Sequence, residues 1–259
     1  MTMTTADVSA TGGLGHAEAM ALQGAELVIT LRLLESLGED DWAVSVPACP
    51  QWDVRRMYLH VLGACEGAAF GQMVYQMQAA MRRRRREGGP LEASLSAVQV
   101  TDRDALAPAD LLERLQRVAP RVVRQRNRIP RVVRTAVGMK VDGPVVERWK
   151  LGYLIDTIYL RDMWMHRIDA CAALGRAPEL TAEHDGRIVA DVVAEWARRH
   201  GRPFNLELTG PAGGRFASGE GAEADQQLSL DAIAFCQLLS GRVKDSPPPS
   251  PLLATVVPF

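Results

Sequence analysis

An apolar stripe at helical spacing, Leu151, Ile155, Ile158 and Tyr159, runs directly into Asp162, His166 and Asp169. Spacings of three and four residues keep this set on one helix face, so the polar groups turn toward the interior that the apolar ones seek. An unpaired carboxylate in a core is costly or takes up a proton, and Asp162 therefore needs a cation, an arginine or an ordered hydrogen-bond network. A carboxylate and an imidazole four residues apart have Cβ atoms roughly 5–6 Å apart, near enough to share one ion. His60, between Met57 and Ala64 on an earlier helical segment, offers a second imidazole. Two imidazoles and one carboxylate can hold a divalent ion and leave positions open for chemistry. The plainer alternative is an internal His–Asp pair, with His60 a hydrogen-bonded core histidine.

The rest of the chain supplies a bundle for that face. A helix is expected over 16–37, with Met20, Leu27, Leu31 and Leu34 on one side and Gly38 as its stop. A second is expected over 52–81, where Gly63, Ala64, Gly67, Ala68 and Gly71 permit close approach of a neighbour. The segment MRRRRREGGP and the fifteen residues after it read as an exposed turn and loop. A third helix begins near Pro108 and continues, kinked at Pro120, toward Arg128. A fourth runs from Pro144 to Ala173, closed by Gly175, with no strand before residue 175. Beyond Pro178 come a helix over 182–200, short strands in FNLELT, GRFASG and ADQQLSL, a helix over 231–239, and a strand-like apolar end. The expected organisation is a disordered N-terminus (1–15), a four-helix bundle (16–176) and a small α+β domain (177–259), a mainly α fold.

With 259 residues, 47% of them hydrophobic, the chain can bury a substantial core. A formal net charge of -1 provides no long-range field for nucleic acid or a membrane surface, and the arginine run 82–86 reads as a solvated helix end. A small-molecule substrate is expected, with no nucleic-acid or membrane partner, in a monomer or homodimer. Three lysines among 30 basic residues suggest a GC-rich genome. Cys49, Cys65, Cys171 and Cys236 lack a CxxC pair or a secreted-protein spacing, which together with the absence of a signal-like start points to the cytoplasm. Trp52 and Trp164 are expected to pack around the core, and His16, His184 and His200 to lie at the surface.

Asp41, Trp42, Pro47 and CPQWDVRRMYLHVLG resemble the first motif of the mycothiol-dependent maleylpyruvate isomerase family, whose bundle is DinB-like. RDMWMHRIDACAALG is similar to its second motif and AFCQLLSGR to the Gly-Arg ending of its sterol-carrier-like C-terminal domain. The resemblance implies a divalent metal, zinc by preference, on His60, Asp162 and His166, with mycothiol, a thiol of actinobacteria, as cofactor or cosubstrate. It implies further that Arg242 holds a carboxylate of the substrate or thiol. Asp162 stands where the family commonly has glutamate, one methylene longer. Asp169 is then a candidate to accept the free ring N–H of His166, or to pair with Arg167 or Arg176 at the helix end. The implied activity is isomerisation or S-transfer by a thiolate on an electrophilic small molecule. Two other classes share the residues: a metal-free binding protein on the same scaffold, and a non-haem iron oxygenase using the same triad.

Overall fold

The computed structural model describes residues 6–7, 12–142, 146–219, 226–243 and 247–259. Its contacts divide the chain into two units: Gly15–Pro178, and Glu179–Phe259 joined by Met1–Leu14. The N-terminal stretch contributes a two-residue strand, β1 (Ala6–Asp7), paired in parallel with residues 216–217, so those residues are ordered by a sheet where a disordered leader was expected.

The Gly15–Pro178 unit is helical. Four helices share one core: α1 (His16–Glu35), α2 (Val54–Glu66), α5 (Pro108–Asn127) and α8 (Tyr159–Ala173). Leu27 and Leu34, Met57 and Leu62, Leu111 and Leu115, and Met163 and Ala170 meet there. α1 ends before Gly38, at Ser36, whose Oγ donates to the Leu33 carbonyl at 2.7 Å. The side chain thus does the terminating work expected of glycine. Asp53 caps α2 by accepting from the Arg56 N–H at 2.7 Å. Pro108 opens α5, and Pro120 lies inside it on the exposed side.

Three expectations are corrected here. The helix read over 52–81 is two helices, α2 and α3 (Phe70–Glu87), broken at Gly67, where the chain turns. The arginine run closes α3 and is exposed for the most part, but after Gly88 and Gly89, both at positive φ, the expected loop is a helix, α4 (Leu91–Thr101). The period was hidden because α4 buries Ser94 and Gln99 beside Val98 and Val100. Gln99 Nε2 donates to Gln76 Oε1 at 3.1 Å, and Gln76 Nε2 to the Gly63 carbonyl at 2.9 Å, so both amide nitrogens are satisfied inside the unit. Gly63 is the close approach its composition suggests: a Cβ there would lie 2.5 Å from Gln99 Cβ.

The third correction concerns the run from Pro144. A short helix α6 (Arg131–Ala136) leads into an antiparallel hairpin, β2 (Gly138–Asp142) and β3 (Val146–Lys150), and only then into α7 (Leu151–Tyr153), a π-helical segment (Leu154–Ile158) and α8. Val137 and Leu151 bridge the hairpin base, the Leu151 N–H donating to the Val137 carbonyl at 2.9 Å. Pro144 itself lies outside the described residues.

The Glu179–Phe259 unit is α+β. A π-helical turn (Ala182–Gly186) enters α9 (Arg187–His200), followed by β4 (Phe204–Thr209), β5 (Gly214–Ser218), β6 (Gln227–Asp231) and α10 (Ala232–Leu239). The sheet order is β1-β5-β4-β6, with β4 antiparallel to β5 and parallel to β6. Phe204, Leu206 and Leu208 alternate inward along β4. Trp196 packs its ring 4.8 Å from Phe204 and 5.4 Å from Phe235. The apolar end forms a 3-10 turn (Pro251–Ala254) and no strand; Leu252 is buried, and its carbonyl accepts from Trp196 Nε1 at 2.9 Å. His184, expected at the surface, is buried in the π-helical turn, and His16 is half-buried against Asp156. Among the described residues no helix is long and apolar enough to cross a membrane.

Candidate metal centre

α2 and α8 face each other through His60 and the Asp162–His166 pair. His60 Nε2 lies 3.3 Å from Asp162 Oδ2, and His166 Nε2 lies 3.3 Å from Asp162 Oδ1. One ligand atom from each of the three residues falls within 4.8 Å of the others. Neutral or charged hydrogen bonds between such groups close to about 2.7–3.2 Å. Ligand atoms set tetrahedrally about 2.1 Å from a zinc-sized ion are about 3.4 Å apart. The two 3.3 Å separations, each to a different carboxylate oxygen, lie just beyond the first range and near the second, and two imidazoles with one carboxylate are a donor set that fits a divalent ion. His60 and His166 are buried, whereas the Asp162 side chain keeps 24% of its surface open, leaving an approach from solvent.

Charge alone already ties the three together. Burial by itself would raise the Asp162 carboxyl, yet His166 and His60 hold it well below the usual carboxylate range. Burial would likewise lower the His166 imidazole, yet Asp162 raises it well above its ordinary value. Behind His166, Nδ1 lies 3.5 Å from Asp169 Oδ2, too long for a strong hydrogen bond but placed as a carboxylate that orients a ligating ring. Arg176 turns away to Asp41 Oδ2 at 2.7 Å, and Arg167 forms a buried bidentate pair with Glu26 of α1 at 2.7 and 3.1 Å. That pair anchors α8 to α1 at the residue next to His166. Cys49 is half-buried near the same ring, its sulfur within 4.8 Å of a His166 nitrogen and an Asp169 oxygen.

Trp52 packs against the core as expected, but sequence reasoning missed its place against the candidate ligands. It lies in a tight loop, its N–H donating to the Cys49 carbonyl at 2.8 Å and its carbonyl accepting from the Val46 N–H at 3.0 Å. There its ring stacks on His60 (centroids 5.2 Å, 27° between planes) and meets His166 at 6.1 Å. The signal was available: Trp52 immediately precedes the Asp53 cap, eight residues before His60. Trp164, by contrast, is wholly buried in the fold and lines nothing open. Cys65 is buried and its thiol pushed up to about 11, chiefly by burial, which suits a structural thiol. Arg242 lies in the other unit, half-buried after Gly241, with its backbone N–H on the Gln237 carbonyl at 3.0 Å.

Helices sharing a core, with two imidazoles and a carboxylate gathered between them, define a DinB-like bundle protein joined in sequence to a small α+β unit. The family model for the mycothiol maleylpyruvate isomerase N-terminal domain matches residues 24–171, and the chain belongs to that family. Among solved structures, the mycothiol-dependent maleylpyruvate isomerase shares this fold with a TM-score of 0.53 at 15% identity, over 96% of this chain and 99% of that one. A histidine-to-alanine mutant of a mycothiol-dependent maleylpyruvate isomerase matches over the same shares with a TM-score of 0.51 and 15% identity. No curated protein matches significantly.

Proposed function

We propose that this protein is a mycothiol-dependent isomerase or S-transferase, with a divalent metal, zinc by preference, held by His60, Asp162 and His166. The observation that carries the proposal is the convergence of three ligand atoms within 4.8 Å beneath a partly open carboxylate. Such an ion, when bound, draws a thiol sulfur and lowers its pKa so that thiolate forms near neutral pH. The chain's own groups do the positioning. Trp52 fixes the plane of His60, Asp169 sets that of His166, and the Glu26–Arg167 pair holds the helix turn between them. Asp162, a methylene shorter than the family's usual glutamate, sits close enough to both histidines for its reach to suffice.

In the isomerase reading, the thiolate adds to a conjugated double bond and moves its electrons onto the acceptor carbonyl. The new single bond rotates, and elimination restores the alkene with inverted geometry and releases the thiolate. In the transferase reading the adduct takes up a proton and is the product. Arg242 is assigned the substrate or thiol carboxylate on the family resemblance. The buried thiol of Cys65, pushed up to about 11, is a poor nucleophile of the protein's own.

A second reading is a metal-free binding protein, favoured by the charge pairing of Asp162 with His166 and His60, which holds its carboxyl well below the usual carboxylate range. Metal analysis of protein purified without added ions, repeated for His60→Ala, separates the two. About one ion per chain in the wild type, lost in the variant, is the expected result, together with thiol-dependent consumption of maleylpyruvate or a related electrophile. No metal in the wild type favours the binder, and iron with oxygen uptake an oxygenase.

A further inference from the structure

The Gly15–Pro178 unit contains a cavity of about 430 Å³ that none of the three candidate metal ligands lines. Its walls are Met73 and Met77 of α3, Leu95 of α4, Ile129 after α5, Trp149 of β3 and Leu154 of the π segment. Phe70, 76% exposed, stands at its rim. The volume falls within the range of sites for small ligands, roughly 300–1,000 Å³, and apolar walls with a few polar groups are their usual construction.

The polar groups are unevenly charged. Arg126, Arg128 and Lys140 line the cavity against one carboxylate, Glu92. Arg126 is 3% exposed, and its two terminal nitrogens donate to neutral acceptors, Gln23 Oε1 at 2.8 Å and the Ala64 carbonyl at 3.0 Å. Its guanidinium carbon lies 3.9 Å over the Tyr159 ring, and its Nε–H is buried with no partner. No carboxylate lies within ion-pair distance of it among the described residues. Burial lowers the pKa of this arginine, with Tyr159, Cys65 and Asp162 acting the other way from a distance. A buried charge in that condition is costly until an anion arrives.

We infer that this cavity binds an apolar monocarboxylate, its hydrocarbon part between α3, α4 and the β2–β3 hairpin and its carboxylate on Arg126. A bidentate or single charge-assisted hydrogen bond to the guanidinium satisfies the Nε–H and neutralises the cation together. Tyr159, beneath the guanidinium, precedes Asp162 by three residues on α8, so the carboxylate end lies about one helical turn from the candidate metal centre. The site stands with or without a bound metal and goes beyond the thiol chemistry proposed above.

Calorimetric titration of the full chain with octanoate, 1-octanol and acetate tests it. Octanoate should bind, 1-octanol at least about tenfold more weakly for want of the charged hydrogen bond, and acetate not measurably. Arg126→Met should erase the preference for acid over alcohol. Because that change removes a buried group that also braces Gln23, Leu95→Trp provides a second variant, filling the cavity from α4, and should lose both ligands while keeping wild-type helicity by circular dichroism. His60→Ala should keep full octanoate affinity, which separates failure of this inference from failure of the metal proposal. Equal affinity of the wild type for octanoate and 1-octanol, undiminished binding in Leu95→Trp, or no binding at all overturns the inference.

Discussion

Replacing Gly63 with alanine should destabilise the bundle although alanine is the better helix former. The added Cβ would sit 2.5 Å from Gln99 Cβ, 2.7 Å from its Cγ and 3.1 Å from its Cα, and the last of these is backbone. Carbon atoms pack comfortably near 3.5–4.0 Å, so α2 and α4 must separate by about 1 Å. Overpacking of this kind costs about 1–3 kcal/mol. The shift also strains the chain of bonds from Gln99 to Gln76 to the Gly63 carbonyl, each worth about 1 kcal/mol. Alanine returns about 1 kcal/mol in helix propensity, leaving a net loss of roughly 2–4 kcal/mol. For a unit of this size that is about 4–16 °C in Tm, measurable by thermal unfolding followed at 222 nm. Gly71→Ala is the control: its Cβ would meet nothing within 4 Å, so it should leave Tm unchanged or raise it. A Gly63→Ala protein as stable as the wild type would refute the packing argument.

Asp169→Asn should weaken metal affinity by about 10–100-fold in a chelator competition, with the fold intact, because it alters the group behind His166 and not a ligand; unchanged affinity would remove Asp169 from that role. The Cys65 thiol titrates at about 11 in the fold against an ordinary 9.0, so the stability associated with its neutral form is complete below pH 9 and is lost as pH rises toward 11. At about 1.4 kcal/mol per pH unit this amounts to roughly 3 kcal/mol, and Cys65→Ala should flatten that part of a stability–pH curve measured by urea unfolding. Asp231→Ala removes a cap that accepts from the Ile233 and Ala234 N–H groups at 2.9 and 3.0 Å, and should cost about 0.5–2 kcal/mol in the Glu179–Phe259 unit without altering metal content.

The parts of this molecule legible in its sequence are those where one period holds. The Leu151–Asp169 run showed both a buried helix and the polar cluster it carries, because three- and four-residue spacings persist through it in sequence, although the π-helical segment Leu154–Ile158 shifts the phase between its apolar start and its ionisable end. β4 was legible for the same reason at period two. α4 was not, since its buried face contains Ser94 and Gln99, whose partners Gln76 and Gly63 are distant in sequence. β3 was read as a helix start because Pro144 is a fair opening residue for one, and β2 went unread because a five-residue strand leaves little alternation to count. The convergence of His60 on Asp162 could be suspected from residue type and from resemblance, but the 3.3 Å separations are a property of how α2 meets α8. Trp52 escaped because its role depends on a loop that folds its ring back onto the helix it precedes.

The widened turn at Leu154–Ile158 sets the angular phase of everything after it. A π turn accommodates one residue more than an α turn, and one residue is about 100° of rotation. Leu154 and Ile155 on its near side line the cavity, while Asp162 and His166 beyond it address α2. A single-residue deletion in this stretch would restore a regular spiral and swing the carboxylate and imidazole about a quarter of a circle away from His60, uncoupling two sites that now share one rod.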